Sequence, residues 1–194
     1  GISSRLSHNN TKRGVRLLCV ALALTVVTAV IMPMMHFEGA EIYFGILHLL
    51  SLSMLIFSAL RAGLDKINPI VGIIVCIAIY IFTYGVSAGY VGIAGLKTFN
   101  LPAVLYRTNY FMPLGFFNSS FHSADYFPLL PHLFMFLTGT FVGVYATNGR
   151  FPAFTYRQRS KALCFLGRHA LVIYIAHQPI IYGILWVVEK IIAK

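Results

Sequence analysis

The sequence predicts an all-α, polytopic bundle of transmembrane helices. Three observations carry that prediction. Apolar residues make up 58% of the 194-residue chain and charged ones only 10%, against about 45–50% and about 25% in a soluble domain. Mean hydropathy is +0.79. The apolar residues also fall in runs of roughly 20, the length an α-helix needs to cross about 30 Å of hydrocarbon. The length leaves room for about five such spans in a single domain over 1–194.

The first span is expected from about Val15 to Met35, after a polar, basic start, and is closed by Pro33 and the acidic turn Glu38 to Glu41. The second runs from about Phe44 to Leu60 and returns through Arg61, Asp65 and Lys66. Asn68 and Pro69 open the third, which continues to about Val86, because a proline at the first helical position loses no bond. A connection rich in glycine, aromatics and asparagine follows to about Tyr126. It is too long for a tight turn, and Gly89, Gly92 and Gly95 suit an interfacial or re-entrant segment packed on the bundle. The fourth span covers about Phe127 to Thr147, and a basic loop, Arg150 to Arg168, leads to the fifth, about Ala170 to Ile192.

The net charge of +10 reports orientation rather than a nucleic-acid partner. With the N-terminus inside, the inner segments hold Arg5, Lys12, Arg13, Arg16, Arg61, Lys66, Arg150, Arg157, Arg159, Lys161 and Arg168, against Lys97, Arg107, Lys190 and Lys194 outside. Eleven against four predicts N-in and C-out, with the long connection outside. Cys19, Cys76 and Cys164 are odd in number and at no metal-ligand spacing, so they read as packing residues. No phosphate loop, dinucleotide fingerprint, zinc spacing or nucleophile elbow is present, and no metal site is expected.

Chemistry must therefore come from polar side chains set in or at the ends of the spans. In the second span His48, Ser51 and Ser58 share a face. One reading makes them structural, the serines bonding back to helix carbonyls and the imidazole to a neighbouring helix. The other puts His48 beside a substrate near the outer end of its span. Asp125 is the sole acidic residue between Asp65 and Glu189. Either it or Ser123 can cap the fourth helix, whose first turn holds Pro128, and beside a histidine Asp125 can also orient an imidazolium.

In the fifth span Pro179 cannot bond the carbonyl of Ile175, so a bend is expected there. That carbonyl, His177 and Gln178 then form a polar centre with Tyr174 one turn earlier, about 10 Å along the helix from Ala170. Packing across the bundle is the plain alternative for His177. Arg168 and His169 at the inner edge are positive-inside anchors or a phosphate contact.

Four ordered motifs carry a family resemblance: Gly-Ile-Ser-Ser at 1–4, Phe-Gly-Ile-Leu-His at 44–48, Ser-Ala-Asp-Tyr-Phe-Pro-Leu-Leu-Pro at 123–131, and Phe-Leu-Gly-Arg-His-Ala-Leu-Val-Ile-Tyr followed by His-Gln-Pro across 165–179. With them the chain resembles the bacterial branch of the heparan-alpha-glucosaminide N-acetyltransferase catalytic-domain family, within the transmembrane acyltransferases. The resemblance implies an integral protein of a bacterial cytoplasmic membrane that moves acetyl from cytoplasmic acetyl-CoA to an amine or hydroxyl of a glucosamine-like sugar or polysaccharide on the outer side. It implies His48, His177 and Asp125 as catalytic candidates, and Arg168, His169, Gln178 and Tyr174 toward acetyl-CoA. Ser51 and Tyr126 would face the acceptor.

Acetyl-CoA is then a co-substrate, the bilayer is a partner, no nucleic acid is involved, and a homo-oligomer is compatible with the pattern. The alternative is a non-catalytic multispanning protein, such as a transporter subunit or sugar-binding partner, that keeps the fold. Two departures from the resemblance are expected to matter. Complete members begin with further transmembrane sequence carrying an Arg-Gly motif and a histidine of its own, so this chain, opening at Gly1 without an initiator methionine, reads as N-terminally trimmed, and a candidate base lies in the missing part. His132 stands where the family is expected to have an aromatic residue, and no role is assigned to it.

Overall fold

The computed structural model describes all residues except 35–38, 94–96, 156–159 and 193–194, and, within the last helix, the side chains of 178–179, 182, 185–187 and 189–192 are also outside the description. The chain divides into two compact units, Gly1–Arg150 and Phe151–Lys194.

In the first unit a short helix, α1 (Ile2–Leu6), is followed by α2 (Asn10–Val26), a π-helical turn at Val27–Ile31 and a last turn, α3 (Met32–Met34). Helices α4 (Ile46–Leu64), α5 (Pro69–Thr83) and α6 (Leu129–Thr147) complete the unit. Among the described residues, four helical stretches are long and apolar enough to cross a membrane: Asn10–Met34, Ile46–Leu64, Pro69–Ala88 and Leu129–Thr147. These are the first four expected spans, and the protein is an integral membrane helix bundle. The fifth falls in α7 (Lys161–Ile192), which forms the second unit and is helical without interruption through residue 179.

The starts of α2 and α5 follow from capping. Asn9 accepts the N–H of Lys12 at 3.0 Å, and Asn68 accepts that of Ile70 at 2.9 Å ahead of Pro69, each side chain taking one of the N–H groups that a helix leaves unpaired at its start. In α6 the residue before Pro131 is held out of the helical region (Leu130, φ −92°, ψ 127°), as the proline ring demands.

Helices pair as α2 with α4 and α5 with α6, while α1 lies along α6 and α4 also touches α6. Met54, Phe57, Cys76, Phe136, Leu137 and Phe141 form the buried core among them. Gly72 permits the close α5–α6 approach, since a Cβ there would stand 2.6 Å from the Phe141 ring. The outward sides of α2 and α5 expose Leu22, Val26, Ile70, Ile74 and Ile81. That is the distribution expected where lipid, not water, covers the surface.

The two ends of this unit differ in charge. The starts of α2 and α5 and the ends of α4 and α6 gather Lys12, Arg13, Arg16, Arg61 and Lys66, with Arg5 paired to Asp65 and Arg61 3.8 Å from the same carboxylate. The opposite end is closed by residues 84–128. In the stretch expected to be interfacial or re-entrant, short 3₁₀ turns surround an antiparallel pair, β1 (Tyr90–Val91) with β2 (Phe99–Asn100), and Gly89 takes the left-handed conformation (φ 86°) that ends the first of these turns, while Gly95 lies outside the described residues.

Candidate functional site

The polar residues concentrate where α4 begins. Four hydrogen bonds join the chain on either side of that point to the segment that precedes α6. Ala124 N–H donates to the Glu41 carbonyl at 2.9 Å, Tyr43 N–H to Ser123 Oγ at 3.4 Å, Ile46 N–H to Asp125 Oδ2 at 3.1 Å and Phe127 N–H to the Phe44 carbonyl at 3.2 Å. This seam carries Asp125 to the N-terminus of α4.

The capping expectation for Asp125 is thereby corrected. Helix α6 follows Pro128 without a side-chain cap, and the carboxylate serves α4, in which Gly45 is the N-cap. Glycine has no side chain to offer, so the cap comes from 80 residues later. An anionic acceptor is favoured at that end of a helix. Gly45 also makes the room, because a Cβ there would lie 2.3 Å from Asp125 Oδ2.

His48 completes the same turn. Its Nδ1 accepts the N–H of Gly45 at 3.3 Å, while Nε2 faces Thr25 Oγ1 of α2 at 3.4 Å. Accepting at Nδ1 puts the ring proton of neutral imidazole on Nε2, which then donates to Thr25. Phe44 stacks on the ring at 5.4 Å, and His48 is 5% exposed. In this state His48 presents a hydrogen-bond donor. It becomes a proton acceptor at Nε2 only when the Gly45 bond is given up.

Ser51 is fully buried and donates to the His48 carbonyl at 2.9 Å, the back-bonded arrangement. Ser58 meets Thr11 Oγ1 at 2.7 Å across the α2–α4 contact, so the polar face of α4 is satisfied along two helices. Ser53, also fully buried, has no hydrogen-bond partner among the described residues.

Tyr126 donates to the Met112 carbonyl at 2.6 Å and packs edge-on against Phe117 and Phe121 at 5.1 Å each. Burial pushes its phenol well above the usual tyrosine range, against a smaller opposing effect of the Ser87 hydroxyl. Tyr106, bonded to the Val86 carbonyl, is raised by burial as well. His132, in the first turns of α6, directs Nδ1 to the Pro128 carbonyl at 3.0 Å between Tyr80 and Phe127.

Three residues of this end went unread in the sequence. Thr25 and Thr28 interrupt an otherwise apolar run at a spacing of three, which places both on the α4 side of α2. Thr28 accepts the N–H of Ile42 at 3.1 Å and donates to the Leu24 carbonyl at 2.9 Å, just where the helix widens into its π turn. Such turns recur at functional sites. Gly45 was legible only as part of a motif.

The structure brings His48, Asp125, Ser51 and Tyr126 to one end of the first unit. The other candidates lie in the second. There Tyr174 and His177 share a side of α7, with ring centroids 5.2 Å apart and Nδ1 of His177 donating to the Tyr174 carbonyl. His169 donates likewise to the Phe165 carbonyl at 2.9 Å. Arg168 lies on the preceding residue of the same helix. The side chains of Gln178 and Pro179 lie outside the described residues, while the backbone stays helical through the proline where a bend was expected.

Fold and site thus define an all-helical integral membrane protein with a buried imidazole and a carboxylate at one end of its bundle. A family model described as heparan-alpha-glucosaminide N-acetyltransferase, catalytic, matches residues 1–179. The chain belongs to that family. No curated protein and no solved structure matches it.

Proposed function

We propose that the chain acts as, or as part of, a membrane acetyltransferase that takes acetyl from cytoplasmic acetyl-CoA and delivers it to an amine or hydroxyl of a glucosamine-like sugar on the far side of a bacterial cytoplasmic membrane. The observation that carries the proposal is the family match across residues 1–179. The His48–Asp125 arrangement at the end opposite the basic residues supports it.

In the reaction the acceptor's nitrogen or oxygen attacks the thioester carbonyl. The new C–N or C–O bond forms as the C–S bond breaks, the acceptor's proton passes to a base, and CoA leaves as a thiolate that takes this proton from the base to become the thiol. His48 has two roles open to it. Its Nε2–H can stabilise the oxyanion that develops on the carbonyl, and with the tautomer reversed it can take the proton. Asp125 steadies the positive charge in the second case and orients the turn in both. Ser51, through the His48 carbonyl, and Tyr126, through the seam, hold that end in shape beside the acceptor. On the inner side Arg168 and His169 meet the CoA phosphates, and Tyr174, His177 and Gln178 line the acyl path, with His177 the second candidate base.

A non-catalytic reading has one observation in its favour: both ring nitrogens of His48 are already engaged within the protein. Transfer of labelled acetyl from acetyl-CoA to glucosamine by the purified protein separates the two. The enzyme reading expects transfer, and a fall of at least about a hundredfold in His48→Ala, the lower range for losing an acid–base group. A protein that neither binds acetyl-CoA nor transfers acetyl is the non-catalytic relative.

A further inference from the structure

Beside the seam lies a cleft of about 490 Å³, lined by Glu41, Tyr43, Asn109, Met112, Ser120, Phe121 and His122. Its size is that of a small-ligand site, and all of its lining belongs to the first unit.

The polar edge is built before any ligand arrives. Asn118 anchors it, accepting the N–H of Ser120 at 3.0 Å and the Ser120 hydroxyl at 2.6 Å. Asn109 Oδ1 accepts the N–H of Asn118 at 3.0 Å, which leaves the Asn109 amide N–H groups as its donors. His122 bonds the Ser120 carbonyl through Nδ1 at 3.1 Å. A carbonyl only accepts, so the ring proton sits on Nδ1 and the lone pair on Nε2. His122 thus holds the tautomer opposite to that of His48, with an acceptor nitrogen on an exposed ring.

The other edge carries a carboxylate. The backbone of Glu41 is pinned by Ala124, the residue is half-buried, and its side chain makes no ion pair among the described residues. Between the two edges stand Tyr43 and Phe121, with ring centroids 6.1 Å apart. Phe121 is braced by Phe117 at 5.2 Å and Tyr126 at 5.1 Å. An acceptor nitrogen, amide donors, a carboxylate with no ion pair among the described residues and flat apolar faces together fit a hydroxylated ring that carries a positive charge.

We propose that this cleft binds the sugar acceptor and that Glu41 is its specificity-determining residue, pairing with the ammonium of a hexosamine, while Asn109 and His122 take hydroxyls and Tyr43 and Phe121 cover the ring. The proposal rests on the acetyltransferase reading for the identity of the ligand as acceptor. Its consequence is discrimination between substrate and product. N-acetylation replaces an ammonium by a neutral amide, which removes the partner of Glu41 and loosens the product.

Calorimetric titration of the full chain in detergent micelles with glucosamine, N-acetylglucosamine and glucose tests this, with acetyl-CoA titrated into the same preparation. The expected result is tightest binding of glucosamine. Glu41→Gln should weaken glucosamine by about tenfold, the scale of one charged hydrogen bond, and leave glucose unchanged. His122→Ala, at an exposed position that folding tolerates, should weaken all three sugars. Equal binding of glucosamine and N-acetylglucosamine, unaltered glucosamine binding in Glu41→Gln, or no sugar binding overturns the proposal. Glucosamine preference without acetyl-CoA binding supports the cleft and counts against the acetyltransferase reading. Acetyl-CoA binding without glucosamine preference does the reverse.

Discussion

Asp125 occupies the space that Gly45 leaves empty. Its Oδ2 stands where a Cβ on Gly45 would come within 2.3 Å, and it accepts the N–H of the next residue, Ile46, at 3.1 Å. The cap of α4 and one of the four seam bonds depend on this pairing, and His48 accepts the N–H of the same Gly45.

Gly45→Ala and Asp125→Ala should therefore disturb the same contact. Loss of an N-cap acceptor costs about 1 kcal/mol, and Gly45→Ala should cost at least as much by expelling the carboxylate. The double variant should fall short of the sum, as expected for residues in contact. Thermal unfolding of the four proteins in detergent measures the cycle, and strict additivity would show the pairing to be incidental.

Tyr126 supplies a prediction in alkali. Its phenol is raised by burial in the folded state, so an unfolded chain, with tyrosine near 10, loses its proton first. The contribution of Tyr126 to stability is whole below about pH 10 and is lost as the pH climbs from there toward the folded value. Tyr126→Phe should be less stable at neutral pH by about 1 kcal/mol for the bond to Met112. It should also lose less on going from pH 9 to 11. Denaturant midpoints across that range check both signs.

Gly72 faces the Phe141 ring at a distance no side chain can share. Gly72→Ala should destabilise the bundle by about 1–3 kcal/mol through overpacking. Adding Phe141→Leu should restore part of the loss. An unchanged melting temperature in Gly72→Ala would place α5 and α6 farther apart.

The spans were legible because hydrocarbon imposes length and composition on any helix crossing it, and the positions of Pro69 and Asn68 marked a start that the structure keeps. His48 stood out because an imidazole in an apolar run is costly. The partner of Asp125 was not legible. Capping rules read along the chain and assign a carboxylate to the nearest helix, whereas Asp125 serves a helix that began 79 residues earlier. Thr25 and Thr28 were hidden because a threonine inside a helix can satisfy itself on its own backbone, as Thr28 partly does. Glu41 read as turn punctuation, and His122 had no pattern around it. Only the folding of residues 84–128 over the bundle end joined the two.

Sidedness bears most directly on the account. In sealed proteoliposomes whose orientation is fixed by labelling Arg61→Cys and Arg107→Cys from opposite sides, labelled acetyl-CoA is supplied at the Arg61 face and glucosamine at the Arg107 face. The account predicts N-acetylglucosamine at the Arg107 face, and no transfer when the two substrates are exchanged. Transfer only in the exchanged arrangement, or none in either, would contradict it.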